Sequence, residues 1–315
     1  MWYRRFGLVT ALATSLVASP VGAQNPGREL NGHRFLLSGQ VPSPFVTSFI
    51  RTTTGGGAAL NVKTPFIDVD GDTLGTLEGN VGFVLLGFEY QQKVTSWLAL
   101  RGGFTASARL GTDEQSILAQ GVTGILGWGI GGSVLLVTKP TWLVSGGLDF
   151  QQNGFVGLVP FRFAQTVIDS GGLTKDNNLV STTGTVSSRA TLRGGWAPRR
   201  WLGATGVIEA GVGDIQDLRS KGVYGGAATV GVDFRELGWW PVGVMGFVRY
   251  DSFNQNGADL SSSSTRLGMG VLYTGRRDFS IGLEGSTISF TPQGDVGDFS
   301  GWAVVFNLRY WLSGG

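Results

Sequence analysis

The segment GWAVVFNLRYW, residues 301–311, alternates in character from one residue to the next. One parity is apolar or aromatic throughout and consists of Trp302, Val304, Phe306, Leu308 and Tyr310. The other parity turns polar at Asn307 and Arg309. Because side chains of a β-strand point alternately to opposite faces, the segment is predicted to be a strand with one apolar face. Such strands occur both in soluble sandwiches and in lipid-facing barrels, so the rest of the sequence is needed to distinguish these two folds.

The first 23 residues have the features of a secretory signal peptide. Arg4 and Arg5 precede an uncharged apolar stretch from Phe6 to Ala18, and small residues lead up to Ala23. This stretch is shorter than the roughly 20 residues that a membrane-spanning helix needs. We therefore expect cleavage after Ala23, which leaves a mature chain of residues 24–315.

The composition of the mature chain excludes several classes of protein. Loss of the two arginines in the signal peptide leaves 22 basic and 22 acidic residues, so no overall basic charge attracts nucleic acid. The absence of cysteine excludes a disulfide-stabilised scaffold. The chain has 53 glycines and only 15% charged residues, whereas a soluble domain usually has about 25% charged residues.

A dozen glycine-rich segments with alternating apolar and polar or small residues follow one another along the chain. They lie at 43–53, 80–92, 95–108, 125–137, 141–152, 186–197, 200–213, 222–234, 241–252, 264–275, 278–290 and 301–311. The breaks between them are alternately short, as in QQKVT, VTKPT, APRR, RELGW and TGRRD, and long, at 54–79, 108–124, 152–185, 213–222, 253–263 and 291–299. Short turns on one side and long loops on the other are typical of an up-and-down barrel with periplasmic turns and extracellular loops.

Aromatic residues cluster beside the short turns, as is usual at a membrane interface. They are Tyr90, Trp97, Trp142, Trp196, Trp201, Phe234, Trp239, Trp240, Tyr273, Phe279, Tyr310 and Trp311. Over residues 43–312 the chain resembles bacterial outer-membrane β-barrel proteins of about twelve strands, at the level of architecture. The resemblance implies a final strand that the assembly machinery recognises by its last aromatic residue. FNLRYW is similar to such an ending, although LSGG follows it.

The sequence therefore predicts an all-β protein, an antiparallel up-and-down transmembrane β-barrel of about 12 strands with short helices in extracellular loops. Residues 24–42 are expected to form a periplasmic N-terminal segment, and residues 43–315 the barrel. The expected location is the bacterial outer membrane. The expected partners are the lipid bilayer, the barrel-assembly machinery during biogenesis and small solutes.

Charged residues share the parity opposite to the apolar one, and we expect them to line the lumen. They are Arg101, Asp149, Arg189, Arg193, Glu209, Asp233, Arg249, Arg266, Glu284 and Arg309. On the lipid face each charge would cost roughly 2–4 kcal/mol near the midplane. Two interpretations remain open for the lumen: internal salt bridges that fill it, or a polar ladder along a solute path.

An acidic loop suggests a metal site. Asp68, Asp70 and Asp72 occupy the first, third and fifth positions of a calcium-binding loop. Thr73 stands where such a loop has glycine, and Gly79 where it has a bidentate glutamate. Calcium is thus the one cofactor that the sequence suggests, and a turn with solvated acids is the alternative.

Two long loops contain helix signals. In the first, Thr112 is a candidate N-cap and Gly121 a candidate stop. In the second, a helix from Pro160 to Ser170 is predicted to fold inward and constrict the barrel, because it has more apolar surface than a solvated helix. The residues of this predicted plug helix are Phe161, Arg162, Phe163, Val167 and Ile168. Packing on the loop tops and binding to a partner protein are the alternatives.

Catalysis is not expected, because the only histidine, His33, lies upstream of the first predicted strand. A general base of the usual kind is therefore missing from the barrel wall. We predict a narrow porin-like channel for small solutes. The alternative is a structural or adhesive outer-membrane barrel with a closed lumen.

Overall fold

The fold is a closed barrel of twelve antiparallel strands, each paired with its neighbours in sequence. The computed structural model describes residues 27–67, 73–158, 160–172, 178–215, 221–254, 261–291 and 298–312. The barrel strands are β3 (Phe49–Ile67), β4 (Thr73–Lys93), β5 (Leu98–Gly111), β6 (Val122–Thr138), β7 (Trp142–Leu158), β8 (Val180–Arg199), β9 (Leu202–Ile215), β10 (Lys221–Asp233), β11 (Val242–Asn254), β12 (Ser261–Tyr273), β13 (Phe279–Thr291) and β14 (Phe299–Trp311). Pairing of β14 with β3 closes the barrel. The predicted fold class and strand number are confirmed.

Several strands are longer than predicted. β3 and β4 contain 19 and 21 residues, although about 9–11 residues suffice to cross a bilayer. The prediction of a loop at 54–79 is wrong, because pairing of these two strands continues from Phe49 with Gln91 to Ile67 with Thr73. The run TTTGGG at 52–57 has no apolar alternation, but its backbone pairs with β4 and β14 on its two sides.

The outer surface of the barrel is apolar. Large apolar side chains of the outward parity are among the most exposed of the molecule; Leu126, Leu148 and Met269 are 70%, 68% and 70% exposed. Soluble proteins turn polar side chains outward, so this surface fits lipid and excludes the sandwich. Closure of the barrel leaves no unpaired strand edge, which is what a membrane-spanning sheet requires.

Strand β14 has the two faces that its sequence predicts, with one exception. Phe306 and Tyr310 are exposed on the outside, and Asn307 and Arg309 are buried inside. Trp311 was expected at the membrane interface, but it is 2% exposed and faces inward. Its parity is that of Arg309, so the alternation of the strand overrides the preference of an aromatic residue for the interface.

The long-loop end of the barrel has two helices, α1 (Glu114–Gln120) and α2 (Pro160–Asp169). Asp113, rather than the predicted Thr112, caps α1: its carboxylate accepts from the Ser116 amide at 2.8 Å. Among the described residues, no helix is long and apolar enough to cross a bilayer.

Residues 27–48, which we call the plug segment, run inside the barrel at its short-turn end. The segment includes a small hairpin of β1 (Glu29–Leu30) and β2 (His33–Arg34). Residues 24–42 were expected to form a periplasmic N-terminal segment, but their described part, 27–42, packs inside the barrel. Phe35, Val41 and Phe45 are at most 2% exposed, because the wide, glycine-rich end of the lumen offers them apolar side chains to pack against.

Candidate functional site: a charged chamber above a plug

The plug segment is tied to the turns that join the strands. Its side chains donate hydrogen bonds to backbone carbonyl oxygens of two short turns and the strand ends beside them. The pairs are Asn31 with Ala197 and Pro198, His33 with Arg200, Arg34 with Thr274 and Arg28 with Arg277, at 2.9–3.2 Å. Each donor satisfies an acceptor in a turn or at a strand end, so the segment is anchored at this end of the barrel.

Apolar side chains of the plug segment pack on the inner wall. Phe35 and Phe45 join a cluster with Leu143 and Trp311. Val41 contacts a second cluster and Leu36 a third. Fully burying a side chain of this size contributes roughly 1.5–3 kcal/mol. The segment is therefore a docked part of the barrel rather than a tail.

Two inward-facing glycines make room for the plug segment. A Cβ atom at Gly203 would lie 2.3 Å from the ring of His33, and one at Gly243 would lie 2.5 Å from Leu36. Any larger residue at either position would collide with the plug. At these two positions the space that an inward-facing glycine leaves in the lumen is occupied by the plug segment.

Two cationic residues of the plug segment have lowered pKa values. Burial, with the nearby charges of Arg309 and Arg34, lowers the pKa of Arg28 to about 9. Arg28 stays cationic near neutral pH, and its guanidinium carbon lies 3.5 Å from the centre of the Trp311 ring. Burial also lowers the pKa of His33. The imidazole therefore stays neutral near pH 7, with Nδ1 donating to the Arg200 carbonyl.

The middle of the plug segment forms the floor of a chamber. Glu284 accepts hydrogen bonds from the Ser38 hydroxyl (2.8 Å), the Gly39 amide (2.8 Å) and Asn307 (2.6 Å). The Gln40 carbonyl accepts from Arg249 at 3.0 Å. The floor is thus fixed to strands β11 and β13, which are separated by a single strand in the barrel.

Above this floor lies a cavity of about 420 Å³, which we call the charged chamber. Its inward-facing charged residues are Arg51, Glu89, Arg101, Asp149, Arg189, Glu209, Arg249 and Arg266. A recess of about 160 Å³ reaches further down to Arg309. Towards the long loops the lumen continues as a cavity of about 790 Å³, the vestibule, whose inward-facing side chains include Leu85, Ile125 and Phe155.

Most charges of the chamber form two ion-pair networks. In the first, Asp149 bridges Arg101 and Arg193, with its Oδ1 2.7 Å from Arg101 Nε and its Oδ2 2.9 Å from Arg193 Nη2. In the second, Arg249 binds Glu209 and Asp251, each at 2.6 Å. Arg189 joins the second network at 3.5 Å from Glu209. These pairs compensate the cost of holding charges away from bulk water.

The structure brings nine of the ten predicted lumen residues to the chamber, its recess, its networks or its floor. Asp233 lies elsewhere, at the short-turn end, where it accepts from Thr274 at 2.8 Å and caps a 3-10 turn at Phe234–Leu237. The sequence interpretation missed Arg51, Glu89 and Gln40. Glu89 has the inward parity of its strand and could have been found from it, whereas no periodicity surrounds Gln40.

Helix α2 is the helix that was predicted to fold inward and constrict the barrel. Its main contacts are with α1 at the long-loop end. Phe163 and Val167 are half-buried, and Ile168 is 73% exposed. The side chains of Phe161 and Arg162 lie outside the described residues. So do Asp68, Asp70 and Asp72, the residues of the predicted calcium loop.

Comparison with known proteins agrees with the fold. No family model and no curated protein matches the chain. Among solved structures, an outer-membrane channel from Pseudomonas putida F1 is similar at 10% identity and TM-score 0.53, with 88% of this chain and all of that chain covered. The β domain of the Bordetella autotransporter BrkA (12% identity, 84% and 99% covered, TM-score 0.48) and the translocator domain of NalP from Neisseria meningitidis (9%, 84% and 87%, 0.47) are more distant. The similarity to the Pseudomonas putida F1 structure shows the outer-membrane β-barrel fold.

Proposed function

We propose that this protein is a narrow channel for small solutes in the bacterial outer membrane. The observation that carries the proposal is the lumen itself. The vestibule and the charged chamber both contact Leu85 and together lead from the long loops down to the plug segment. A barrel with a purely structural role needs no cavity of this size lined by charged side chains.

In this proposal the plug segment is the closure of the channel. It blocks the short-turn end, which faces the periplasm if the chain inserts as outer-membrane barrels do. A solute that enters from the loop side meets the vestibule, then the charged chamber, then the floor of Gly39, Gln40 and Pro42. Passage requires the plug to shift. The proposal includes export by the N-terminal signal peptide and insertion by the barrel-assembly machinery.

The structural or adhesive alternative is favoured by one observation, the close packing of the plug. Phe35 and Phe45 are 1% and 2% exposed, which also fits a permanently closed lumen. The two functions differ in whether the chamber ever connects to both sides of the membrane.

Single-channel recording in planar bilayers tests the proposal. We expect small, intermittent conductance steps from the wild-type protein and larger, sustained steps from a variant that lacks residues 28–41. A heat-dependent shift on gels serves as the control that both chains are folded barrels. If folded wild-type protein gives no discrete conductance at any voltage, the channel function is wrong and the closed barrel stands.

A further inference from the structure

The recess below the charged chamber carries more positive charge than its neighbours compensate. Arg51, Arg101, Arg249 and Arg309 line it against a single carboxylate, Glu89. Arg51 and Arg249 have acidic partners at 2.6 Å, and Arg101 has one at 2.7 Å. The excess charge is therefore concentrated on Arg309.

Two N–H groups of the Arg309 guanidinium have no hydrogen-bond acceptor in the described part of the chain. The residue is 4% exposed, and its Nε and Nη1 have no hydrogen-bond partner among the described residues. Its guanidinium carbon lies 5.0 Å from the ring centre of Phe49 and 5.7 Å from that of Trp311. Ring contacts stabilise the cation but do not accept its N–H groups, which point outward in the guanidinium plane. A buried guanidinium in this state calls for an acceptor.

Arg266 is in a similar position on the chamber wall. Its Nη1 donates to the Gln40 side chain, and its Nε is buried without a partner in the described part of the chain. Gln40 and Gly39 of the floor contact both the chamber, with Arg266, and the recess, with Arg309. Two arginines outside the ion-pair networks thus lie beside the same floor residues, in two cavities that share most of the lining of the recess.

The other end of the lumen has a different character. Leu85, Ile125 and Phe155 turn inward in the vestibule. The strands of Leu85 and Phe155 also bear the chamber carboxylates Glu89 and Asp149 deeper in the lumen. A molecule with one charged end and an apolar body would have its charge in the chamber and its body along these side chains.

We propose that the chamber binds small organic anions, namely carboxylates with an apolar body, and that Arg266 and Arg309 hold the carboxylate. This inference rests on the proposed channel function, because it names the solute class of the same lumen. Arginine suits the role because its planar N–H groups match a carboxylate and its charge persists at any physiological pH. The bound carboxylate would accept hydrogen bonds from the guanidinium N–H groups that have no acceptor in the described part of the protein.

Equilibrium titration of the folded full-length barrel in detergent tests the binding directly. The probes are hexanoate, acetate and neutral hexanol, with heat of binding as the signal. We expect hexanoate to bind, acetate to bind more weakly because it leaves the vestibule empty, and hexanol not to bind measurably. The double variant Arg266→Gln/Arg309→Gln should weaken hexanoate binding at least about tenfold, since hydrogen bonds to charged groups are the strong ones.

Two further variants separate a bound anion from a general effect on the barrel. Arg276→Gln removes an arginine of the exposed β12–β13 turn, whose partner is Asp278 at 2.6 Å, and should leave hexanoate binding unchanged. Arg266→Lys keeps the charge and should retain part of the affinity. Equal binding of hexanol and hexanoate, or unchanged binding in the double variant, would overturn the inference.

The titration needs no transport, so its outcome is independent of the conductance test. Conductance without hexanoate binding would overturn the assigned solute class and leave the channel intact. Binding without conductance would overturn the channel and leave an anion site in a closed barrel.

Discussion

At the scale of single residues, the lumen is shaped as much by missing side chains as by charged ones. A Cβ atom at Gly203 would lie too close to the ring of His33 for any residue other than glycine to fit without a shift. Gly285, on β13, has open space where a Cβ atom would lie. These two glycines form a matched pair for testing how tightly the plug segment is seated.

Gly203→Ala should displace the plug segment. A methyl group that overlaps the His33 ring costs about 1–3 kcal/mol in a packed interior, so the plug should leave its site roughly 5–160 times more often. Cleavage of folded barrel by trypsin after Arg28 or Arg34 measures this opening. Gly285→Ala should be cleaved like wild type. Equal cleavage of all three proteins would contradict a plug held by this contact.

Acid should loosen the plug through His33. Burial lowers the pKa of His33, the hydrogen bond to Arg200 and the charge of Asp233 oppose this, and Arg28 adds to it. Because the docked pKa lies below the usual 6.5, docking is fully favoured above about pH 6.5 and loses stability as the pH falls below it.

Recordings at pH 7.5 and pH 5 check this expectation. The wild-type channel should open more often at pH 5, whereas His33→Gln, which keeps a donor for the Arg200 carbonyl but does not titrate, should show a smaller difference. An identical pH response of both proteins would exclude His33 as the cause.

Charged residues of the lumen could be predicted from parity alone, because a charge on the lipid face is too costly to occur. Arg101, Asp149 and Arg249 were found in this way. Trp311 also follows parity, which places it inside, against the usual preference of tryptophan for the interface. Gln40 could not be predicted, because its role depends on Arg249 and Arg266, more than 200 residues away.

At the scale of elements, we expect the plug segment and not helix α2 to close the lumen. Helix α2 lies beside α1 at the long-loop end. Deletion of residues 158–172 should therefore leave the single-channel conductance close to that of wild type. A clear increase in conductance after this deletion, in a folded barrel, would show that α2 constricts the path after all.

The existence of every barrel strand could be predicted, but strand ends could not. Alternation identifies a segment that has one face in lipid and one in the lumen. Beyond the membrane both faces meet water, so the alternation stops while the backbone pairing continues, as between Lys63 and Glu78. For this reason strands β3 and β4 extend beyond the residues whose alternation predicts them.

At the scale of the whole molecule, the apolar outer belt predicts integral membrane behaviour. The protein should stay with the membrane in alkaline carbonate and should shift on gels after boiling, because twelve paired strands unfold only on heating. The variant without residues 28–41 should show the same shift, since β3 and β14 close the barrel without the plug. Release of the wild-type protein by carbonate would contradict a spanning barrel.

The docking of the plug segment inside the barrel could not be predicted from the sequence, because it depends on the whole closed barrel. Residues 28–42, RELNGHRFLLSGQVP, have no period of two, and residues 43–48 belong to the first predicted strand. The apolar side chains of the segment find partners on several strands. Only the closed barrel creates the surface on which they pack. The residue pattern of one segment cannot predict a docking surface that several strands form together.

The contact between Arg28 and Trp311 implies an order of events in time. The first of these residues leaves the export machinery near the start of the chain and the second at its end, and the carbonyl groups that receive the plug are up to 249 positions away. Contacts so remote in sequence form late, because the intervening chain must be ordered first. The amino-terminal segment must therefore wait, with Phe35 and Phe45 uncovered, until the last hairpin has joined the sheet. Its docking would be the final step of maturation, and a newly inserted barrel would pass through an unplugged and leaky stage.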